Sequence, residues 1–168
     1  PKNSRKTDWE VELGVIIGED CEHVSESNAL SVISGYCTVN DVSEREFQAE
    51  RGGQWIKGKS APSFAPIGPY FVTSDEINDP QNLDVELSLN GEIVQKSNTS
   101  DMIFSVVEII SYMTQFMKLR TGDIIATGTP SGVGMGMKPQ RFLRSGDIME
   151  IEVEKCGRQR QNTVNYEN

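Results

Sequence analysis

The sequence is poor in the residues that build common zinc, disulfide and membrane sites. It has one histidine and three cysteines, and the cysteines show no C-x-x-C spacing, which argues against a zinc site and a disulfide framework. No apolar run approaches the roughly 20 residues of a membrane span, and no signal segment opens the chain. These absences predict a cytoplasmic protein with reduced thiols and no membrane partner.

Positive charge is also scarce. The 16 basic residues face 25 acidic ones, and the net charge of −9 repels phosphate backbones unless a local basic patch overrides it. The runs RFLR and GRQRQ are short, lack interleaved aromatic residues and are typical of solvated surface. We therefore expect no nucleic-acid partner. His23 lies in the polar run EHVSE and is expected to be exposed and not catalytic.

What is present has the composition of one folded domain. Charged residues make up 24% of the 168 positions and hydrophobic residues 36%, which are ordinary globular values. Strand patterns outnumber helix patterns, and most connections between them are turns, which favours an α+β, mainly β architecture. We expect residues 1–168 to form a single domain.

Several segments carry strand patterns. Residues 8–17 (DWEVELGVII) alternate acidic and apolar residues and then become aliphatic, which predicts a strand. GYCTVND is rich in β-branched and aromatic residues and predicts a strand that ends at Asn40-Asp41. LDVELSLNGEIVQK predicts a hairpin, because Asn90-Gly91 accepts the positive φ angles of a type I′ turn. GDIIA and GDIMEIEVE follow turns and are predicted strands.

Three segments carry helix patterns. SESNALSVIS predicts a short helix, and MIFSVVEIISYMTQFM has the apolar spacing of one long amphipathic helix. VSEREFQAERGG shows a capping box, Ser43 with Glu46, and ends at paired glycines. Between Gln54 and Pro69, glycines and prolines forbid regular structure over any length.

Three acids share one face of the first strand. Asp8, Glu10 and Glu12 lie two residues apart, so their side chains point the same way. One interpretation is a solvated strand face. The other is a cation site, since adjacent carboxylates in a cleft need a neutralising partner. Asp41, at the end of a strand pattern, is the best third ligand, with helix capping as its alternative role.

The sequence resembles a known family in eight ordered blocks. These are DWEVELGVIIG, GYCTVNDVSEREFQAERGGQW, KGKS, PIGPYFVT, LNGEIVQ, MIF, GDIIATGTPSGVG and FLRSGDIMEIEVE. Together they resemble the catalytic domain of the fumarylacetoacetate hydrolase family over roughly residues 5–154. SRKTDWEVELG and NDVSEREFQ are similar to its bacterial 2,4-dioxo-3-deoxy-sugar-acid hydrolases, often labelled ureidoglycolate lyases. The resemblance implies a mixed β-sandwich roll of the fumarylacetoacetate hydrolase type and a homodimer.

The resemblance also implies three roles: metal binding by acids, stabilisation of negative charge by a lysine, and substrate binding by polar side chains. In that order, the matching positions are Glu10, Glu12 and Asp41; Lys59; and Arg45, Gln48 and Thr129. Arg45 and Gln48 lie three residues apart and share a helix face. Taken alone, Arg45 and Lys59 are more typical of solvated surface charges.

The chemistry of these residues suits a 2-oxo acid. Three carboxylates form an all-oxygen site for Mg²⁺, with Mn²⁺ or Ca²⁺ as substitutes, and such a metal polarises a carbonyl and stabilises an enolate. The resemblance implies a hydrolase that cleaves a C–C bond of a 2,4-dioxo acid of the acylpyruvate type, releasing pyruvate or an analogue. Two alternatives stay open: a decarboxylase or isomerase of an unsaturated 2-oxo diacid, and an inactive metal-binding domain with a partner role.

The sequence departs from the family pattern at two places. The family's acid–base histidine and glutamate lie upstream of the Glu-x-Glu strand, and no counterpart precedes Glu10. The sequence opens on Pro1, so we expect either that it is part of a longer protein or that a mobile lid carrying the pair is missing from it, with loss of the pair as the third alternative. Pro62 stands where many relatives have an acid. GTPSGVGMG lacks the Gly-Lys-Ser/Thr ending of a phosphate loop, so we expect a turn that closes over substrate.

Overall fold

The computed structural model describes residues 1–167 and confirms the mainly β, α+β class. The strands, in chain order, are β1 (Thr7–Asp8), β2 (Val11–Ile17), β3 (Ile33–Asn40), β4 (Ser43–Glu44), β5 (Val72–Thr73), β6 (Asp84–Leu89), β7 (Glu92–Asn98), β8 (Ile124–Ala126), β9 (Ile148–Val153) and β10 (Gly157–Asn162). The α-helices are α1 (Ile56–Lys59) and α2 (Val106–Met113). A π-helix spans Glu46–Glu50, and 3₁₀ turns span Glu26–Val32, Ser74–Glu76, Thr99–Asp101 and Gly134–Gly136.

Two four-stranded antiparallel sheets enclose the core. Their strand orders are β5-β3-β2-β8 and β10-β9-β6-β7, and β1 pairs with β4 beside them. Apolar residues of the second sheet alternate toward the interior, so that Leu87 and Ile151 are fully buried. They belong to the same hydrophobic core as Leu13 of β2 and Trp9, which precedes β2. This sandwich is the frame that holds the polar residues described below.

The pairing of β2 with β3 brings distant acids together. Val11 lies opposite Asn40 in the register, so the residues just outside this pair, Glu10 and Asp41, are neighbours. The Asp41 N–H donates to the Glu10 carbonyl oxygen at 2.9 Å. The antiparallel pairing of β2 with β3 therefore places two acids that are 31 positions apart in sequence at the same end of the sheet.

The predicted hairpin forms, whereas the predicted long helix has different bounds. The hairpin forms at Asn90-Gly91, where φ is 54° and 83°, because both residues tolerate a positive φ. Helix α2 is shorter than its pattern predicts. It begins after Ser105, because Ser105 and Glu108 form a capping box there. Phe104, which the pattern placed in the helix, lies before it and is exposed.

The predicted capping box at Ser43 is wrong. Ser43 belongs to β4, and its hydroxyl donates to the Asp41 carbonyl oxygen at 2.8 Å. The helical turn that follows is a π-helix, and the buried Glu44 carboxylate accepts the Glu46 N–H at 3.1 Å. Pairing of β4 with β1 decides the conformation here, because it buries both Ser43 and Glu44.

Other expectations fare differently. The segment predicted to lack regular structure contains the single turn of α1, and the basic run GRQRQ is part of β10, with exposed Arg158 and Arg160 paired to glutamates of β9. All three cysteines are free, as predicted, and they are buried. His23 is exposed, as predicted. Within residues 1–167 no helix has the length and apolarity to cross a membrane.

Candidate metal and substrate site

The three predicted metal-binding acids lie together. Glu10 precedes β2, Glu12 lies on β2, and Asp41 follows β3. One carboxylate oxygen from each can be chosen so that all three lie within 4.8 Å of one another. The solvated-face interpretation is wrong, since Glu10 and Glu12 are buried and Asp8 is fully buried.

Negative charge is costly at this cluster. Burial raises the pKa of Glu12 to about 7, the Asp41 and Glu10 carboxylates add to the rise, and the Gly128 N–H and Lys59 oppose it. Burial also raises the pKa of Asp41, although Lys59 opposes that shift. Three carboxylates in such a position supply oxygen donors and an excess of negative charge, and both suit a hard divalent cation.

Lys59 lies inside this cluster. Its Nζ donates to Glu10 Oε2 at 2.7 Å and to Asp41 Oδ2 at 2.5 Å, and its side chain is 18% exposed, so the solvent-loop interpretation is wrong. Helix α1 can approach closely because a Cβ on Gly58 would lie 2.5 Å from Gln48 Cβ. The glycine therefore lets the one-turn helix deliver the lysine into the cluster.

Arg45 and Gln48 border the same acids. Arg45 Nη1 lies 2.7 Å from Glu10 Oε1 and donates to Gln48 Oε1 at 3.3 Å. Its side chain is 5% exposed, so it is not a solvated surface charge. Burial opposes the charge of the guanidinium, yet Glu10 and Asp8 raise its pKa above the ordinary value. Within the described residues, the buried Nη2 has no hydrogen-bond partner.

Thr129 lies in the turn that follows β8. The neighbouring Gly128 N–H donates to Glu12 Oε2 at 2.8 Å, which joins this turn to the acids. The Thr129 hydroxyl donates to the Val11 carbonyl at 2.9 Å and accepts Gln95 Nε2 at 2.8 Å. Glu12, Gly128 and Thr129 are among the residues that line a cavity of about 550 Å³. The structure thus brings all seven predicted residues to one region.

Two supporting amides were missed by the sequence prediction. Asn40 accepts the Glu10 N–H at 3.0 Å and donates to Gln161 Oε1 at 2.7 Å. Gln95, 1% exposed, accepts the Val11 N–H at 3.1 Å besides holding Thr129. Their partners are distant in sequence. The one local signal is an amide at an inward position of a strand.

Comparison with known proteins decides the family. A model of the fumarylacetoacetate (FAA) hydrolase C-terminal domain matches residues 1–165. The chain belongs to the fumarylacetoacetate hydrolase family. The family predicted from the sequence is therefore confirmed, and so is the fold expected of it.

Three relatives define the likeness within the fumarylacetoacetate hydrolase family. A 2,4-didehydro-3-deoxy-L-rhamnonate hydrolase of Sphingomonas sp. (strain SKA58) is 54% identical over 167 residues, which are 99% of this chain and 59% of the relative. The fumarylacetoacetate hydrolase structure from psychrophilic Exiguobacterium antarcticum has a TM-score of 0.94 at 39% identity, covering 98% and 59% of the two chains. A structure from Mycobacterium abscessus, described as a probable 2-hydroxyhepta-2,4-diene-1,7-dioate isomerase, has a TM-score of 0.94 at 34% identity, covering 100% and 64% of the two chains. The chain spans about three fifths of the curated relative's length.

Proposed function

We propose that the chain is the catalytic domain of a Mg²⁺-dependent hydrolase that cleaves a C–C bond of a 2,4-dioxo acid and releases pyruvate or an analogue. The proposal includes a cytoplasmic homodimer, as the sequence resemblance implies. The observation that carries it is the convergence of Glu10, Glu12 and Asp41 within 4.8 Å, with Lys59 among them. The Sphingomonas relative supports the substrate class, because its name describes a sugar acid with carbonyls at C2 and C4.

The residues fit a bound Mg²⁺. Glu10, Glu12 and Asp41 would hold it, since they supply only oxygen donors and since the raised pKa of Glu12 reflects burial among like charges. Mn²⁺ and Ca²⁺ accept the same donor set. When bound, the metal would polarise the 2-oxo carbonyl and stabilise negative charge on its oxygen.

The neighbouring cations have distinct roles in this proposal. Lys59 keeps a fixed positive charge beside the acids, where an oxyanion develops, and one such group is worth about 3 kcal/mol in a buried site. Arg45 has a free Nη2 donor for a substrate carboxylate. Gln48 uses its carbonyl oxygen on Arg45, so its NH₂ group is the part left to donate to substrate.

An isomerase or decarboxylase of an unsaturated 2-oxo diacid is the second candidate. The likeness to the Mycobacterium abscessus structure, described as a probable isomerase, motivates it, although the Exiguobacterium hydrolase structure matches the backbone equally well. That chemistry uses the same enolate but needs no attacking water. An inactive metal-binding domain is the third candidate, motivated by Pro62 and by the acid–base pair that the resemblance places outside this sequence.

Steady-state assays on the full gene product separate the three candidates. Acylpyruvates are incubated with Mg²⁺, pyruvate is measured with lactate dehydrogenase, and Glu12→Gln serves as the inactive control. We expect pyruvate release that chelation abolishes. Turnover of unsaturated 2-oxo diacids alone would favour the isomerase or decarboxylase. Mg²⁺ binding without turnover of either class would favour the inactive domain.

A further inference from the structure

Asp8 is a buried carboxylate that belongs to the row of acids but not to the cluster of three. It is fully buried at the end of β1. Oδ1 accepts the Trp9 N–H at 2.9 Å and the Gly134 N–H at 2.7 Å. Oδ2 accepts Arg45 Nε at 3.0 Å and the Met135 N–H at 2.9 Å.

These four donors hold the carboxylate in one orientation. A buried charge is tolerated only when it is paired and hydrogen-bonded, and here each oxygen accepts two donors. Gly134 is needed for this approach, because a Cβ there would lie 2.9 Å from Asp8 Oδ1 and 1.8 Å from the Arg141 carbonyl oxygen. Asp8 therefore connects the first strand, the arginine and the 134–135 turn through one rigid contact set.

The contact with Asp8 constrains the guanidinium of Arg45. Asp8 accepts from Nε, while Glu10 and Gln48 face Nη1. A planar guanidinium fixed at two of its nitrogens cannot rotate about its own axis. Nη2 is thus the nitrogen left without a protein partner in the described chain, and its orientation is set by Asp8 as much as by Glu10.

We propose that Asp8 is a positioning residue that orients Arg45 so that Nη2 is offered to the substrate anion. The inference deepens the proposed function and rests on it for the identity of the anion. Each Asp8 oxygen already accepts two donors from the protein, and among the described residues none of these donors belongs to Glu10, Glu12 or Asp41. Asp8 acts through Arg45.

A double-mutant cycle tests the coupling by calorimetry with oxalate, a mimic of the pyruvate enolate, in saturating Mg²⁺. Asp8→Asn keeps the size of the side chain but removes its negative charge and replaces one acceptor oxygen with an NH₂ group. The amide therefore cannot accept all four donors, and the charge-assisted contact with Arg45 Nε is lost. We expect oxalate affinity to fall about 10- to 100-fold, as for a lost charge-assisted hydrogen bond. In an Arg45→Gln background the same change should add less than twofold. Losses that multiply in the double variant would overturn the inference.

Glu44→Gln is the matched control. Glu44 is equally buried, yet its carboxylate accepts N–H groups of the N-terminal segment, among them Lys6 N at 3.0 Å. We expect this variant to lose thermal stability while oxalate affinity stays within twofold. An equal loss of oxalate affinity in Glu44→Gln would mean that Asp8→Asn reports general damage, and the inference would fall.

Nuclear magnetic resonance of the arginine side chains gives a readout that needs no variant and no turnover. In the wild-type protein, the Nε–H of Arg45 should exchange slowly with solvent. The Nε–H of Arg51, which donates to Glu46 from a side chain 53% exposed, should exchange fast. Equal exchange of the two would overturn the inference even if Asp8→Asn did not fold. Absence of turnover would count against the proposed function alone, because neither oxalate binding nor exchange requires it.

Discussion

Glu12 lies where an ionised carboxylate is costly, because it is buried beside Glu10 and Asp41. Its pKa of about 7 in the folded protein compares with an ordinary value of 4.5. Between these two values the folded protein holds a proton at Glu12 that the unfolded chain has released. The contribution of this group to stability is therefore present below pH 4.5 and is lost as pH rises to about 7.

We expect this loss to be visible in metal-free protein. Urea unfolding in EDTA is measured between pH 4.5 and pH 8 for the wild type and for Glu12→Gln, which cannot titrate at that position. The free energy of unfolding of the wild type minus that of the variant should fall with rising pH and then level off above about pH 7. A difference that stays constant, or rises, would contradict the raised pKa.

Lys59 is expected to matter for turnover more than for metal binding. Lys59→Met removes a fixed charge beside the developing oxyanion, so kcat should fall on the order of 10²- to 10³-fold. Mg²⁺ affinity should be kept or increased, since the lysine no longer competes for the oxygens of Glu10 and Asp41. Lys57→Met, on the same helical turn but exposed, should keep activity within about twofold. Full activity of Lys59→Met would refute the assigned role.

At the residue scale, the sequence predicts the acids of the site better than it predicts their hydrogen-bond partners. The alternation of Glu10 and Glu12 is local, Asp41 is selected by its place at the end of a strand pattern, and the resemblance implies the same three residues. Asp8 shows the same alternation, yet it binds Arg45 and two backbone N–H groups from a turn 126 residues away. No local pattern separates these two kinds of acid, because the difference is made by the partners.

At the element scale, predictions hold where a segment's conformation is decided by its own residues. The Asn90-Gly91 hairpin is such a case, since the turn and the alternation both lie within it. The Ser43 capping box fails because β4 pairs with β1, and β10 is missed because its polar alternation is typical of surface. Local propensity yields to pairing wherever the partner strand is far along the chain.

Ser105 provides a test of a capping box that does form. Its side chain accepts the Glu108 N–H at 3.3 Å, and Glu108 accepts the Ser105 N–H at 2.7 Å. Ser105→Ala should lower the free energy of unfolding by about 1 kcal/mol, measured by urea denaturation. Ser100→Ala, at an exposed site in the preceding 3₁₀ turn, should change it by less than about 0.5 kcal/mol. Equal effects of the two variants would show that the cap contributes nothing.

At the scale of the whole molecule, the site exists only in the folded state. Glu10 and Glu12 come from the start of β2, Asp41 from the residue after β3, and Lys59 from α1, so the unfolded chain has no such cluster. The inter-sheet contacts that support it, such as Gln95 to Val11, connect residues far apart in sequence. This is why the fold class and the family could be predicted while the supporting contacts could not.

A ligand that binds only the folded state stabilises it, so Mg²⁺ should raise the melting temperature. At a concentration of about 100 times Kd, the gain is about 2.7 kcal/mol, which corresponds to about 5–10 °C for a chain of this size. The gain should be larger at pH 8 than at pH 5, because the ion needs ionised carboxylates and burial raises the pKa values of Glu12 and Asp41. Differential scanning calorimetry with Mg²⁺ or EDTA measures this gain.

Glu12→Gln should lose most of the gain, whereas Glu19→Gln, at an exposed position, should keep it. A melting temperature that does not respond to millimolar Mg²⁺, or that rises equally in Glu12→Gln, would contradict metal binding at this site and the proposed metal-dependent hydrolysis.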